Sequence, residues 1–116
     1  MSNRNHYYLS VDDIRHARGA DPALAWQGAN PADLAGALAE SLRGTGLFER
    51  WRAMQPEPDE VDMSQAATDP QATASAKVAD LHVDIDLVTD LPMRVVRLRL
   101  NWLIGSSWQL RDMRAA

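Results

Sequence analysis

The sequence predicts an α+β domain, and three observations in its second half carry that prediction. Residues 81–87 alternate strictly between apolar and polar side chains, which is the period of a half-buried strand. Residues 91–104 follow, bounded by Asp90 and Pro92 on one side and by Gly105 on the other, which are start and stop signals of a helix. Residues 107–111 then have the composition of a closing strand.

The segment 91–104 also fits a second interpretation. Val96, Leu98, Leu100, Trp102 and Ile104 alternate with more polar positions, as they would in a strand. In a helix, Arg94, Arg97 and Asn101 form one polar stripe, and Arg99 alone falls outside it. The flanking signals and the length of the segment favour the helix.

The first half of the chain offers similar elements. Residues 1–19 are predicted to form an N-terminal extension. Residues 6–9 fit either a short strand or an ordered tail, and an extra helix starts near Ser10 and ends near Gly19. Residues 23–27 are a candidate strand. Asn30 and Pro31 then open a helix that Gly44 closes. Residues 47–54 fit a short helix by local spacing, whereas the repeat described next favours a strand.

A shift of 61 residues aligns the two halves. It places Pro31 on Pro92 and Gly44 on Gly105, with the apolar helix positions also in correspondence. Two strand–helix–strand halves, 23–54 and 79–113, would then build a four-stranded antiparallel sheet with two helices on one face. This is the ferredoxin-like arrangement, with residues 23–27 and 80–88 as its central strands.

Residues 55–77 separate the two predicted halves. They contain three prolines, five acidic residues and almost no large apolar side chain, so we expect an acidic, flexible loop.

Size and composition restrict the class of protein. A chain of 116 residues is predicted to be a single domain. It has no cysteine, which excludes disulfides and thiolate metal sites. It lacks an apolar leader or a span of about 20 apolar residues, so we expect a cytoplasmic protein with no membrane contact. The dominance of arginine over lysine and the abundance of alanine are consistent with a bacterial source.

Three polar residues on the predicted strand at 80–88 form a candidate metal site. His82, Asp84 and Asp86 share one face, and imidazole and carboxylate groups bind divalent ions. Successive members of this set lie about 6–7 Å apart, so a neighbouring strand would have to complete the site. The alternative interpretation is a solvated polar face, and no cofactor is predicted.

Charge is distributed unevenly, with a net value of −4. Residues 55–90 hold nine acids and one base, and residues 91–116 hold five arginines and one acid. An interaction surface is predicted around Arg94, Arg97, Arg99, Trp102 and Trp108, since complementary charge and tryptophan are common at interfaces. Nucleic-acid binding through the arginines is disfavoured, because the acidic strand face would repel phosphates.

These observations favour a non-enzymatic domain that binds another protein or forms a homodimer. The small open sheet and its edge strands motivate this hypothesis. The alternatives are a metal-binding or small-ligand-binding domain that uses His82, Asp84 and Asp86, and a nucleic-acid-binding domain.

Overall fold

A computed structural model describes residues 4–116. The strands are β1 (Asn5–Asp12), β2 (Thr73–Ala79), β3 (His82–Thr89) and β4 (Trp108–Ala115). The α-helices are α1 (Pro31–Arg43), α2 (Gly46–Ala53) and α3 (Met93–Ile104), and short 3₁₀ helices cover Ile14–His16, Pro58–Glu60 and Met63–Ala66. The strands form one antiparallel sheet in the order β2-β3-β1-β4, which confirms the α+β class.

The alternation that predicted a strand at 80–88 is confirmed in β3. Val83, Ile85 and Leu87 are buried on the side of the sheet that faces α1 and α3, which we call the helix side. His82 and the polar residues that alternate with them lie on the opposite, open side and are half-buried. Leu81 is not part of the strand, because it lies at the β2–β3 turn and is 96 % exposed.

Both predicted long helices are present. In α1 the side chain of Asn30 accepts a hydrogen bond from the backbone N–H of Asp33 at 2.9 Å, and Pro31 occupies the first turn. In α3 the residue before the helix is Pro92, with no side-chain cap, so Asp90 does not have the predicted capping role. The segment 91–104 is thus a helix rather than a strand, and 46–53 is also a helix.

The predicted strand at 23–27 is wrong. This segment is a loop attached to the end of α3, where the carbonyl oxygen of Leu103 accepts hydrogen bonds from the N–H groups of Gly19 and Trp26. The last carbonyls of a helix lack partners within the helix, and this loop supplies them. Leu24 and Trp26 are buried. Because these two buried residues are separated by one position, the segment 23–27 shows the apolar–polar alternation of a strand without forming one.

The central strand β1 was predicted as part of an N-terminal extension. Residues 5–12 instead lie between β3 and β4, and the predicted extra helix is reduced to the 3₁₀ turn Ile14–His16. Tyr7, Leu9 and Val11 are buried on the helix side, which is the period-two pattern of a half-covered strand. The shift of 61 residues therefore aligns α1 with α3, but it aligns the loop at 23–27, and not β1, with β3.

The predicted loop at 55–77 also requires correction. Residues 73–77 belong to β2, which pairs with β3 and packs under α1. The helix side of β2 carries Ala74 and Ala76, and their small side chains allow α1 to approach closely. A strand built from alanine lacks the β-branched and aromatic residues that mark strands in a sequence.

Candidate functional site

The proposed metal ligands on β3 do not converge. The His82 Nε2 atom lies 2.9 Å from Asp84 Oδ1, whereas Asp86 faces His6, with 3.7 Å between Asp86 Oδ1 and His6 Nε2. Within residues 4–116, no group of three or more histidine, aspartate or glutamate side chains is arranged to hold a metal ion. His82 with Asp84 and His6 with Asp86 thus form two separate contacts in place of one three-residue cluster.

The open side of the sheet is covered by contacts among its own side chains. The rings of His6 and Tyr8 stack with 4.1 Å between centroids, and the guanidinium of Arg114 lies 5.8 Å from the Tyr8 ring. Arg111 Nε donates a hydrogen bond to Ser10 Oγ at 2.9 Å. This side of the sheet therefore presents polar and aromatic groups in contact with one another rather than a bare apolar surface.

The arginines of α3 have different environments. Arg94 and Arg97 are exposed, and an Nη atom of Arg94 contacts Ser64 Oγ at 3.4 Å. Arg99 is fully buried and does not belong to the predicted surface. Arg99 falls outside the polar stripe of α3, and this position was the signal in the sequence that it is buried.

Burial gives Arg99 a structural role. Its Nε donates to the backbone carbonyl of Ser41 at 3.2 Å and its Nη2 donates to that of Gln65 at 2.8 Å. The guanidinium lies 5.2 Å from the ring of Trp102 and 5.8 Å from that of Phe48. Desolvation lowers the pKa of Arg99. This side chain joins α3, α1 and the segment after α2.

The two tryptophans of the predicted interaction surface are half-buried. Trp102 stacks on Trp51 with 5.1 Å between ring centroids. Trp108 starts β4, and its indole N–H donates to Asn101 Oδ1 at 3.1 Å. Only Trp108 lies next to a large exposed segment, which is the remainder of β4.

A buried carboxylate that the sequence did not reveal is Asp69. Its side chain is 3 % exposed and accepts hydrogen bonds from both terminal nitrogens of Arg4, at 3.0 and 3.3 Å, and from Thr89 Oγ1 at 2.8 Å. Burial alone raises the pKa of Asp69, but these bonds and those from the N–H groups of Gln71 and Asp90 outweigh it, so the pKa is lowered. The arrangement attaches the segment before β2 to the sheet.

The most exposed strand is the edge strand β4. Every residue after Trp108 in this strand is exposed, including Leu110 at 41 % and Met113 at 51 %. Its register with β1 shifts at one point: Tyr8 is opposite Asp112, Leu9 is opposite Leu110, and Arg111 has no partner. This is a β-bulge. The sequence pattern predicts this strand but not its exposure or its bulge.

Leu110 and Met113 lie on the helix side of the sheet. Leu110 is opposite Leu9 and Met113 is opposite Tyr7, and those two partners are buried under the helices. The helices do not extend over β4, so its apolar row, Trp108, Leu110 and Met113, remains accessible. An accessible apolar row beside an unpaired strand edge is suited to binding another polypeptide.

Comparisons with protein-family models, with characterised proteins and with solved structures reveal no match to this chain. Among residues 4–116, no helix has the length and apolar character needed to cross a membrane.

Proposed function

We propose that this protein is a self-associating domain that binds a second copy of itself through strand β4. The observation that carries the proposal is the combination, on one strand, of an unpaired backbone edge and an uncovered apolar row. Pairing of two such edges supplies backbone hydrogen bonds, and contact between the apolar rows removes hydrophobic surface from water.

The other edge of the sheet is less suited to this role. In β2 two of the three helix-side residues, Ala74 and Ala76, are already packed against the core, so Val78 alone is an exposed apolar residue there, and Lys77 lies beside it on the open side. A central lysine is a common means of keeping a strand edge unpaired. Strand β4 has neither a helix above it nor a lysine or proline within it.

The exposed arginines of α3 do not support nucleic-acid binding equally well. With Arg99 buried, only Arg94 and Arg97 remain on the surface of that helix, and Asp62 lies near enough to Arg94 for a favourable charge interaction. Affinity for nucleic acid rises with the number of phosphates that basic residues neutralise. Two arginines on an acidic protein provide few such contacts.

We also propose that the fold is a ferredoxin-like one in which β1 takes the place of the predicted strand at 23–27. The order of elements supports this: a strand, a helical segment, two strands, a helix and a strand, with α2 as an addition after α1. The sheet order β2-β3-β1-β4 places β1 and β3, the first strand of each half, in the centre.

Sedimentation velocity over a range of protein concentrations tests self-association. A single edge strand buries a small interface, so we expect a dimer with a dissociation constant on the order of 10 µM. The double variant Leu110→Ser, Met113→Ser should be monomeric at concentrations where the wild type is dimeric. The matched control is Leu81→Ser, which removes a more exposed apolar side chain at the β2–β3 turn and should leave the dimer intact. A wild type that stays monomeric at every concentration would contradict the proposal.

A further inference from the structure

We infer that two copies pair their β4 strands antiparallel, about a two-fold axis that passes between Arg111 and Asp112. This inference rests on the proposed self-association and specifies its geometry. In such a pairing, each residue of one strand faces the residue equally far from the axis on the other. Arg111 faces Asp112 of the second copy, Leu110 faces Met113, Gln109 faces Arg114, and Trp108 faces Ala115.

The β-bulge determines this register. From Trp108 to Leu110 the side chains alternate between the helix side and the open side. At the bulge, Arg111 and Asp112 both lie on the open side, since Arg111 bonds Ser10 and Asp112 is opposite Tyr8. Alternation then resumes with Met113 on the helix side. Counted outward from the point between Arg111 and Asp112, the side chains therefore lie on the open, helix, open and helix sides in both directions.

This symmetry of sides matters because cross-strand neighbours share one side of a sheet. Without the bulge, strict alternation would put the two members of every facing pair, such as Leu110 and Met113, on opposite sides of the sheet. With the bulge, the axis between Arg111 and Asp112 pairs residues that lie on the same side of the sheet at all eight positions of the strand. Every other antiparallel register that pairs more than three residues of each strand aligns helix-side residues with open-side residues over part of its length.

The chemistry of the facing residues agrees with the geometry. On the helix side, Leu110 of each copy contacts Met113 of the other, so the two apolar rows become one continuous surface. On the open side, Arg111 of each copy faces Asp112 of the other, which gives two opposite-charge pairs related by the axis. Opposite charges at facing positions stabilise antiparallel strands, and like charges destabilise them.

Asp112 exchanges partners when the dimer forms. In the isolated chain its carboxylate accepts a hydrogen bond from Arg114 Nε at 2.9 Å, and another from the N–H of Met113 at 2.8 Å. Both contacts are exposed, and exposed ion pairs contribute little stability. Their loss is offset by the pair with Arg111 of the second copy and by backbone hydrogen bonds along the edge.

Charge-reversal variants test the pairing of residues 111 and 112. In a dimer of the Arg111→Asp variant, two acids face each other wherever position 111 of one copy meets position 112 of the other. In a dimer of the Asp112→Arg variant, two arginines face each other at the same positions. We expect each variant to dimerise at least about tenfold more weakly than the wild type. An equimolar mixture should restore dimerisation by forming a mixed dimer. General charge attraction cannot explain this restoration, because both variants keep a net negative charge.

Single-cysteine variants test the register, since the chain contains no cysteine. Leu110→Cys and Met113→Cys, when mixed and oxidised, should form a disulfide between the two kinds of chain. Each variant alone should remain uncrosslinked, because the bulge leaves equivalent positions displaced by about 7 Å along the strands in addition to the strand spacing of about 4.8 Å, which is beyond the reach of a disulfide. Crosslinking of either variant with itself would overturn the inferred register.

The outcomes separate the two proposals. A wild type that never dimerises overturns both. A wild type that dimerises, with charge-reversal variants that dimerise equally well and no mixed disulfide, overturns only the register inferred for β4. Circular dichroism of each variant establishes that it is folded, and the double variant Arg111→Asp, Asp112→Arg should dimerise as the wild type does because it keeps the opposite charges.

Discussion

Asp69 and Arg4 are joined by two hydrogen bonds across 65 positions of the chain. The carboxylate is buried next to Thr89 at the end of β3, and Arg4 directly precedes β1. The pair therefore connects the segment before β2 to both central strands. Because a buried carboxylate without its cation is costly, this contact makes the end of the predicted loop a structural part of the fold.

We predict that Asp69→Asn lowers the free energy of unfolding by about 2 kcal/mol at neutral pH. The folded-state pKa of Asp69 is lowered, so its contribution is fully present above the unfolded-state pKa of about 4 and decreases as the pH falls through the folded-state value. Urea unfolding of wild type and variant from pH 7 to strongly acidic pH should show the difference shrinking.

The control for this measurement is Asp59→Asn. Asp59 is fully exposed and lies 3.6 Å from Arg52, so its replacement should change stability by less than about 0.5 kcal/mol at any pH. A difference between wild type and Asp69→Asn that stays constant down to strongly acidic pH would show that the charge of Asp69 is not its source.

Arg99 provides a second prediction. Arg99→Ala removes a large buried side chain and both of its hydrogen bonds to carbonyls, so we expect a loss of about 2–4 kcal/mol in the free energy of unfolding. Arg99→Met fills most of the space and removes the buried charge, and should cost less than half as much. Equilibrium unfolding in urea measures both. Arg97→Ala, on the exposed side of the same helix, is the control and should be nearly neutral.

If Arg99→Met costs as much as Arg99→Ala, the hydrogen bonds to Ser41 and Gln65 dominate over packing. If neither variant is destabilised, the guanidinium does not join α3 to α1 and to the segment after α2.

Two glycines offer a matched pair of substitutions. Gly105 follows α3 and has φ 66°, a backbone conformation that residues with a Cβ rarely adopt. Gly105→Ala should therefore lower the free energy of unfolding by about 1–3 kcal/mol. Gly36 lies on the exposed side of α1, and an added Cβ would meet no atom within 4 Å. Gly36→Ala should therefore stabilise the protein by about 0.5–1 kcal/mol. Thermal unfolding should move in opposite directions for the two variants.

The elements that sequence analysis identified were those with local signals. The helix α1 follows from Asn30 and Pro31, and β3 follows from its alternation, because caps and periodicity lie within the segment itself. The strand β2 was missed because alanine carries no strand signal. Its stability comes from α1 above it and β3 beside it, and neither is visible in residues 73–79.

The strand β1 was anticipated only in part, as a short strand or an ordered tail at residues 6–9, and its central position was not predicted. Tyr7 and Tyr8 interrupt the visible alternation, although Tyr8 stacks on His6 on the open side while Tyr7 is buried. The candidate site on β4 was also predicted only in part. Trp108 and the strand that follows it were identified, but the bulge at Arg111 exists only through pairing with β1 and has no signature within β4.

The central position of β1 has a consequence for the order in which the protein folds during synthesis. This strand leaves the ribosome before both of its neighbours, and the hydrogen bond between Ser10 and Arg111 spans 101 positions. The complete sheet therefore cannot assemble until almost the whole described chain has been made. Until β3 has been made, β1 has no partner strand. We expect slow folding typical of long-range pairing, and a nascent chain that depends on protection from aggregation.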